Sequence, residues 1–157
     1  MISVASISGK IDYLRKTLLG DISYGEFDEL CLGAADGAKC PEFDFDTMDT
    51  DVANGFGKCE IAKGIIESAA KILLRNLKLA SELGLNADRI TMVGGMTNSP
   101  VCVQIIAKTL MRDIRVVNGV SAGAVGAAML AGIGAGFFAN ERDAFQKMRF
   151  EEKIYRC

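Results

Sequence analysis

Two adjacent glycines, Gly94 and Gly95, sit in the run RITMVGGMTNS at residues 89–99 and carry the clearest chemical signal in this sequence. Ile90, Met92 and Val93, with Thr91 between them, read as a short apolar strand. The glycines after it can take positive φ or let a ligand approach the backbone with no Cβ in the way. Ser99 is a good N-cap, and Pro100 suits the first helical turn. A strand therefore delivers two bare backbone units to a helix N-terminus. Free N–H groups and the positive end of the helix dipole meet there, which suits a phosphate or a nucleotide. A plain β–α turn without a ligand would leave the same pattern.

Other chemistries are narrowed by composition. The chain has no histidine, which removes Ser-His-Asp and Cys-His mechanisms from its own residues. Its five cysteines, Cys31, Cys40, Cys59, Cys102 and Cys157, are widely spaced without a CxxC pair. That argues against zinc and a disulfide framework and for free thiols in a reducing compartment, the cytoplasm. Asp44, Asp46, Asp49 and Asp51 do not match a calcium loop, which needs a glycine at its sixth place and a glutamate at its twelfth. They read as a solvated acidic loop. The net charge is −2 with no basic cluster, so nucleic acid is not expected as a partner.

At 157 residues, half of them hydrophobic, the chain is long enough to bury one core. Residues 7–19 read as a helix with Ile7, Ile11, Leu14, Leu18 and Leu19 on one face. A second short helix runs from Ser23 or Tyr24 to Ala34, with Tyr24, Phe27, Leu30 and Cys31 on its apolar side. Residues 35–51 read as irregular. Phe43 and Phe45 alternate there with acids as in a short edge strand, and residues 52–56 suggest another. The longest helix is predicted over 58–83, with an apolar stripe from Ile61 to Leu83 and Gly84 as its stop. After the strand at 89–93 come the Pro100 helix and a strand at 114–117. A helix over about 121–133 follows, and a tail holding one short polar helix and a charged end.

From Lys58 onward the order is α–β–α–β–α, which favours an α/β layer with parallel strands. Ligands of such sheets bind beyond the carboxyl ends of the strands, here at the glycine pair. Residues 116–140 carry no charge, but Asn118, Ser121 and six glycines interrupt them. The helical part is shorter than the roughly 20 residues that a membrane span needs. It reads as a buried helix, and Gly119, Gly123 and Gly126 as a small-residue face for tight packing or for the edge of a nucleotide site. The N-terminus lacks the charged start and apolar run of a signal peptide.

With these elements placed, GGMTNSPVCVQIIAKTL (94–110), RVV (115–117) and AGAVGAAMLAGIGAG (122–136) together resemble the C-terminal domain of FGGY-type carbohydrate kinases. Glycerol kinase, xylulokinase and fuculokinase are members of that family. Upstream, ISGKIDYLRK is similar to the family's glycine-containing helix, with Tyr13 in its aromatic place. KGIIESAA is similar to its Arg-Ala-x-x-Glu-Gly helix, with Lys63, Gly64, Glu67 and Ser68 in those places. The resemblance is dense over 94–131 and loose over 35–58.

It implies an α/β fold of the ribonuclease H-like (actin-like ATPase) type, a mixed sheet with packed helices. It also implies a chain organised as one C-terminal nucleotide-binding domain: a divergent part at 7–57, an α/β core at 58–140 and a tail at 141–157. The implied ligands are ATP with Mg²⁺, and a sugar held mainly by an N-terminal kinase domain that would carry the catalytic aspartate. The family's adenine-binding glycines fall on Gly94 and Gly95, its base-lining residue on Met96, and its following polar residue on Ser99 beside Asn98. A further nucleotide contact falls on or next to Gly9, with Asp12 near it.

No catalytic or metal-ligating residue is assigned to this chain, and alone it is expected to be inactive. The family's Ser-Gly-Glu-Arg-x-Pro loop is replaced by the shorter 38–58, and its glutamate before the last helix by Ser121. Two alternatives stand beside the kinase reading. One is another actin-like ATPase of the dehydratase-activator type, which would need cysteines such as Cys31, Cys40 and Cys59 around an iron–sulfur cluster. The other is a non-catalytic assembly module, a homodimer joined through apolar surface.

Overall fold

The computed structural model describes residues 7–117, 121–148 and 150–157. Its elements in chain order are α1 (Ile7–Leu19), α2 (Tyr24–Gly33), α3 (Lys58–Glu82), β1 (Ile90–Met92), α4 (Pro100–Leu110), β2 (Ile114–Val117), α5 (Ala122–Gly134), α6 (Glu141–Lys147) and β3 (Glu152–Tyr155). Helix α3 is the hub, packed against α1, α2 and α4. Its first half buries Ile61, Ala62, Ile65, Ile66, Ala69 and Ala70 at helical spacing. Ile11, Leu14 and Leu19 of α1, Phe27 and Cys31 of α2, and Val103, Ile106, Ala107 and Leu110 of α4 complete the same core.

Local chemistry sets the helix ends. Ser23 Oγ accepts from the Glu26 amide at 3.2 Å, and the Glu26 carboxylate accepts from the Ser23 amide at 2.7 Å, a capping box that starts α2. Gly84, at φ +79°, closes α3: its amide donates to Ser81 and the Leu85 amide to Ala80, both at 2.9 Å.

β1 and β2 are parallel, with Ile90 opposite Ile114 and Met92 opposite Val116. β3 is antiparallel to β2, with Tyr155 opposite Ile114. Ile114, Val116 and Tyr155 are buried in the core, while Ile154 on the other face of β3 is exposed. The sheet order is β1-β2-β3, so among the described residues no strand pairs along the outer edge of β1.

The structure departs from the sequence expectations at four places. Residues 43–45 form no strand. Phe43 and Phe45 are buried and their acidic neighbours exposed, as alternation demands, but the Phe43 amide donates 3.0 Å to Ser68 Oγ on α3 instead of to a strand. Pro41 presses its carbonyl against Gly64, where a Cβ would stand 2.5 Å from that oxygen. The segment is thus docked on α3 one turn apart, at Gly64 and Ser68. Residues 52–56 are likewise no strand: a short 3₁₀ turn, Asp51–Ala53, is followed by Gly55 at φ +86°. The tail supplies β3, which the charges of Glu152 and Lys153 hide from a hydrophobicity pattern.

The fourth departure is α5. None of its residues is buried, and its main packing partner is α6. No other atom lies within 4 Å of where a Cβ would stand at Gly123 or Gly126, so neither glycine serves a close approach. Gly119 and Asn118 lie outside the described residues. Of the glycines of α5, Gly132 alone is crowded, by the Phe138 ring just beyond the helix. Among the described residues no helix is long and apolar enough to cross a membrane.

The docked segment gives a direct test. Ser68→Ala leaves the buried Phe43 amide without its acceptor, which costs about 1–3 kcal/mol. The urea midpoint should fall accordingly, and proteolysis should become faster within 38–51.

Candidate functional site

The Gly94 turn is built by local rules. Gly94 takes φ +98°, ψ −175°, a conformation that essentially only glycine adopts. A 3₁₀ turn, Gly95–Asn98, follows. The Thr97 amide and hydroxyl both donate to the Gly94 carbonyl, at 3.0 and 2.6 Å, and lock the corner. Ser99 then caps α4, its Oγ accepting from the Cys102 amide at 2.9 Å, with Pro100 in the first turn. At Gly94 and at Gly95 no other atom lies within 4 Å of where a Cβ would stand, so the corner is bare.

That corner opens on a cleft of ≈ 530 Å³. Gly95, Met96, Asn98, Ser99 and Cys102 form one side. Ser8 and Ile11 of α1, Tyr24, Gly25, Phe27 and Asp28 of α2, and Ile66 of α3 form the rest. Four residues singled out from the sequence, Gly95, Met96, Asn98 and Ser99, thus line one cavity. Gly94, the residue before them, is not part of that lining. Gly9 lies exposed on α1, and its neighbour Ser8 is the residue that lines the cleft.

The contribution of α2 has no counterpart in the sequence reading. Ser99 Oγ donates 2.6 Å to Asp28 Oδ1, so one hydroxyl both caps α4 and ties it to α2. The Cys102 thiol, pushed up to about 11 chiefly by burial, approaches the same oxygen at 3.8 Å. Tyr24, on the apolar side of α2 by its spacing, is nevertheless 60% exposed at the cleft. Its hydroxyl donates 3.1 Å to Asp12, and the Arg15 guanidinium covers its ring at 4.6 Å from the centroid. Arg15, itself buried, donates to Asp12 at 2.7 Å and to the Ile22 carbonyl.

These contacts hold the Asp12 carboxyl at about 2, through Arg15 first and Lys16 next. A depressed carboxylate contributes stability above its ordinary value, 3.8, and loses it as pH falls through about 2. Asp12→Asn should therefore be less stable than the wild type in urea at pH 6. The gap should narrow between pH 4 and pH 2.

A larger concavity of ≈ 640 Å³ lies between α1, α3 and residues 42–46. Its charges are largely paired with one another, Lys71 with Glu42 at 2.7 Å and Lys10 with Asp46 at 3.6 Å. The glycine-turn cleft is the one where a strand end and a capped helix converge. Among the described residues no three His, Cys, Asp or Glu side chains are grouped as a metal or cluster site would need, Cys31, Cys40 and Cys59 included.

The family model of the FGGY family of carbohydrate kinases, C-terminal domain, matches residues 38–135. The crystal structure of xylulose kinase from Rhodospirillum rubrum is similar in fold, with a TM-score of 0.72 at 21% identity. The match covers 96% of this chain and 33% of that one, so the chain spans a third of the kinase's length. None of the curated proteins searched matches the sequence.

Proposed function

The chain belongs to the FGGY family of carbohydrate kinases, over that family's C-terminal domain, and from that premise we propose that it is the nucleotide-holding part of a sugar kinase. The fold is the mixed α/β fold of the actin-like ATPases. The observation that carries the proposal is the bare backbone at Gly95, which lines the ≈ 530 Å³ cleft.

In this reading adenosine lies against Gly95 and Met96, with Asn98 and Ser99 at the polar end and the dipole of the eleven-residue α4 behind them. Gly9 belongs to the α1 side of the same site, through Ser8. The reaction is transfer of the ATP γ-phosphoryl group to a sugar hydroxyl. Such a step depends on positioning and charge stabilisation more than on covalent help from the protein. Mg²⁺ would travel on the phosphates, and no residue of this chain is assigned to it.

The proton acceptor and most of the sugar site belong to the N-terminal kinase domain of the complete enzyme. This chain fixes the nucleotide and forms one wall of a cleft whose closure excludes water. Calorimetry with ADP tests the reading. Saturable binding at millimolar concentration or tighter is expected, with no sugar-dependent ADP production. Absence of binding overturns the cleft assignment, and turnover by the chain alone overturns the division of labour.

One observation favours a second reading. The uncovered apolar surface of α5 suits an assembly module, and light scattering would then show a dimer of this chain.

A further inference from the structure

Helix α2 lines the same cleft as the glycine turn, and Tyr24 and Asp28 stand on it four residues apart, on one face. Asp28 is half-buried, and one of its oxygens is already committed: Oδ1 accepts from Ser99 Oγ at 2.6 Å and from the Cys102 thiol at 3.8 Å. Among the described residues no donor reaches Oδ2, although Asp28 lines the cavity. A carboxylate only accepts. The cleft therefore offers an occupant an acceptor fixed at its other oxygen by Ser99. Beside it stands an aromatic ring whose hydroxyl is tied to Asp12 and one of whose faces is covered by Arg15.

We propose that Asp28 is a specificity-determining residue of the nucleotide site, accepting a hydrogen bond from a donor group of the nucleoside while Tyr24 supplies the surface beside it. This rests on the reading of the cleft given above. The chemistry that Asp28 selects is a hydrogen-bond donor close to the base. An adenosine ligand has two, the exocyclic amine of the base and the hydroxyls of the ribose. A nucleoside lacking the relevant donor leaves the carboxylate oxygen buried without a partner, so discrimination follows from an unmet acceptor. Substitution by asparagine keeps the shape and the acceptor for Ser99, and replaces the free oxygen by an NH₂ group that cannot accept.

The experiment is calorimetry on the chain and on Asp28→Asn with three ligands. They are ADP, purine riboside diphosphate, which lacks the amine, and 2′,3′-dideoxy-ADP, which lacks the ribose hydroxyls. Asp28→Asn should weaken ADP about tenfold or more. For one of the two analogues the variant and the wild type should bind alike, and that analogue identifies the donor.

A loss of the same factor for all three ligands would mean that Asp28 only props the turn, and would overturn the proposal. So would equal binding of ADP by both proteins. If the wild type binds no ADP, the cleft reading itself falls, which is a separate result. Melting temperature monitors the fold, and Asp28→Ser carries the same comparison if the asparagine variant does not fold.

Discussion

Gly95→Ala is expected to leave the unfolding midpoint unchanged and to weaken ADP binding by about tenfold or more. The added methyl meets no protein atom within 4 Å, and the residue is not at positive φ, so folding neither clashes nor strains. Fewer conformations in the unfolded chain even tilt the sign slightly towards stability. The methyl instead enters the space that the nucleoside is proposed to fill, where overpacking costs about 1–3 kcal/mol.

Gly94→Ala should do the reverse. Its φ of +98° with ψ near 180° is closed to alanine at a cost of about 1–3 kcal/mol, felt first as lost stability. Urea titration and calorimetry on the two variants separate a bare corner kept for the fold from one kept for a ligand. If Gly95→Ala binds ADP as well as the wild type does, the ligand does not lie on that corner.

Phe27→Ala carries the largest expected stability loss. Phe27 is 1% exposed on α2, which packs on both α3 and α4. Emptying such a site costs about 3–5 kcal/mol. Folded domains hold only about 5–15 kcal/mol in total, so the urea midpoint should drop by a large fraction. Because Phe27 also lines the cleft, nucleotide binding should go with it. Phe137, equally large and 78% exposed, serves as the control: its alanine variant should stay within about 0.5 kcal/mol. A Phe27→Ala protein as stable as that control would mean that α2 does not pack as described.

What could be read from the sequence follows from which forces are local. The residues of α1 and β2 lie where periodicity puts them, and Ser99, Pro100 and Gly84 act as caps and stop because those roles need only near neighbours. Gly95, Met96, Asn98 and Ser99 share the cleft because they are contiguous. Asp28 and Tyr24 reach it only when α2 folds back over α3, and a charged residue on a helix otherwise reads as solvent-facing.

The same holds for Phe43 and Phe45. Their alternation is real, but the partner is a helix serine 25 residues away and not a strand. β3 escapes notice because pairing with β2 and burial of Tyr155 outweigh the charges of Glu152 and Lys153. For α5 the reverse holds: its apolar composition is not matched by burial, because among the described residues no surface is present to receive it.

Helix α5 gains little from the rest of the chain, since most of its packing is with α6. Its opening is therefore only weakly coupled to that of the α1–α4 core. In deuterated solvent its amides should exchange through local melting, ahead of those in the buried half of α3. On that expectation the molecule melts as two units of unequal depth, and a single transition temperature would describe only the deeper one.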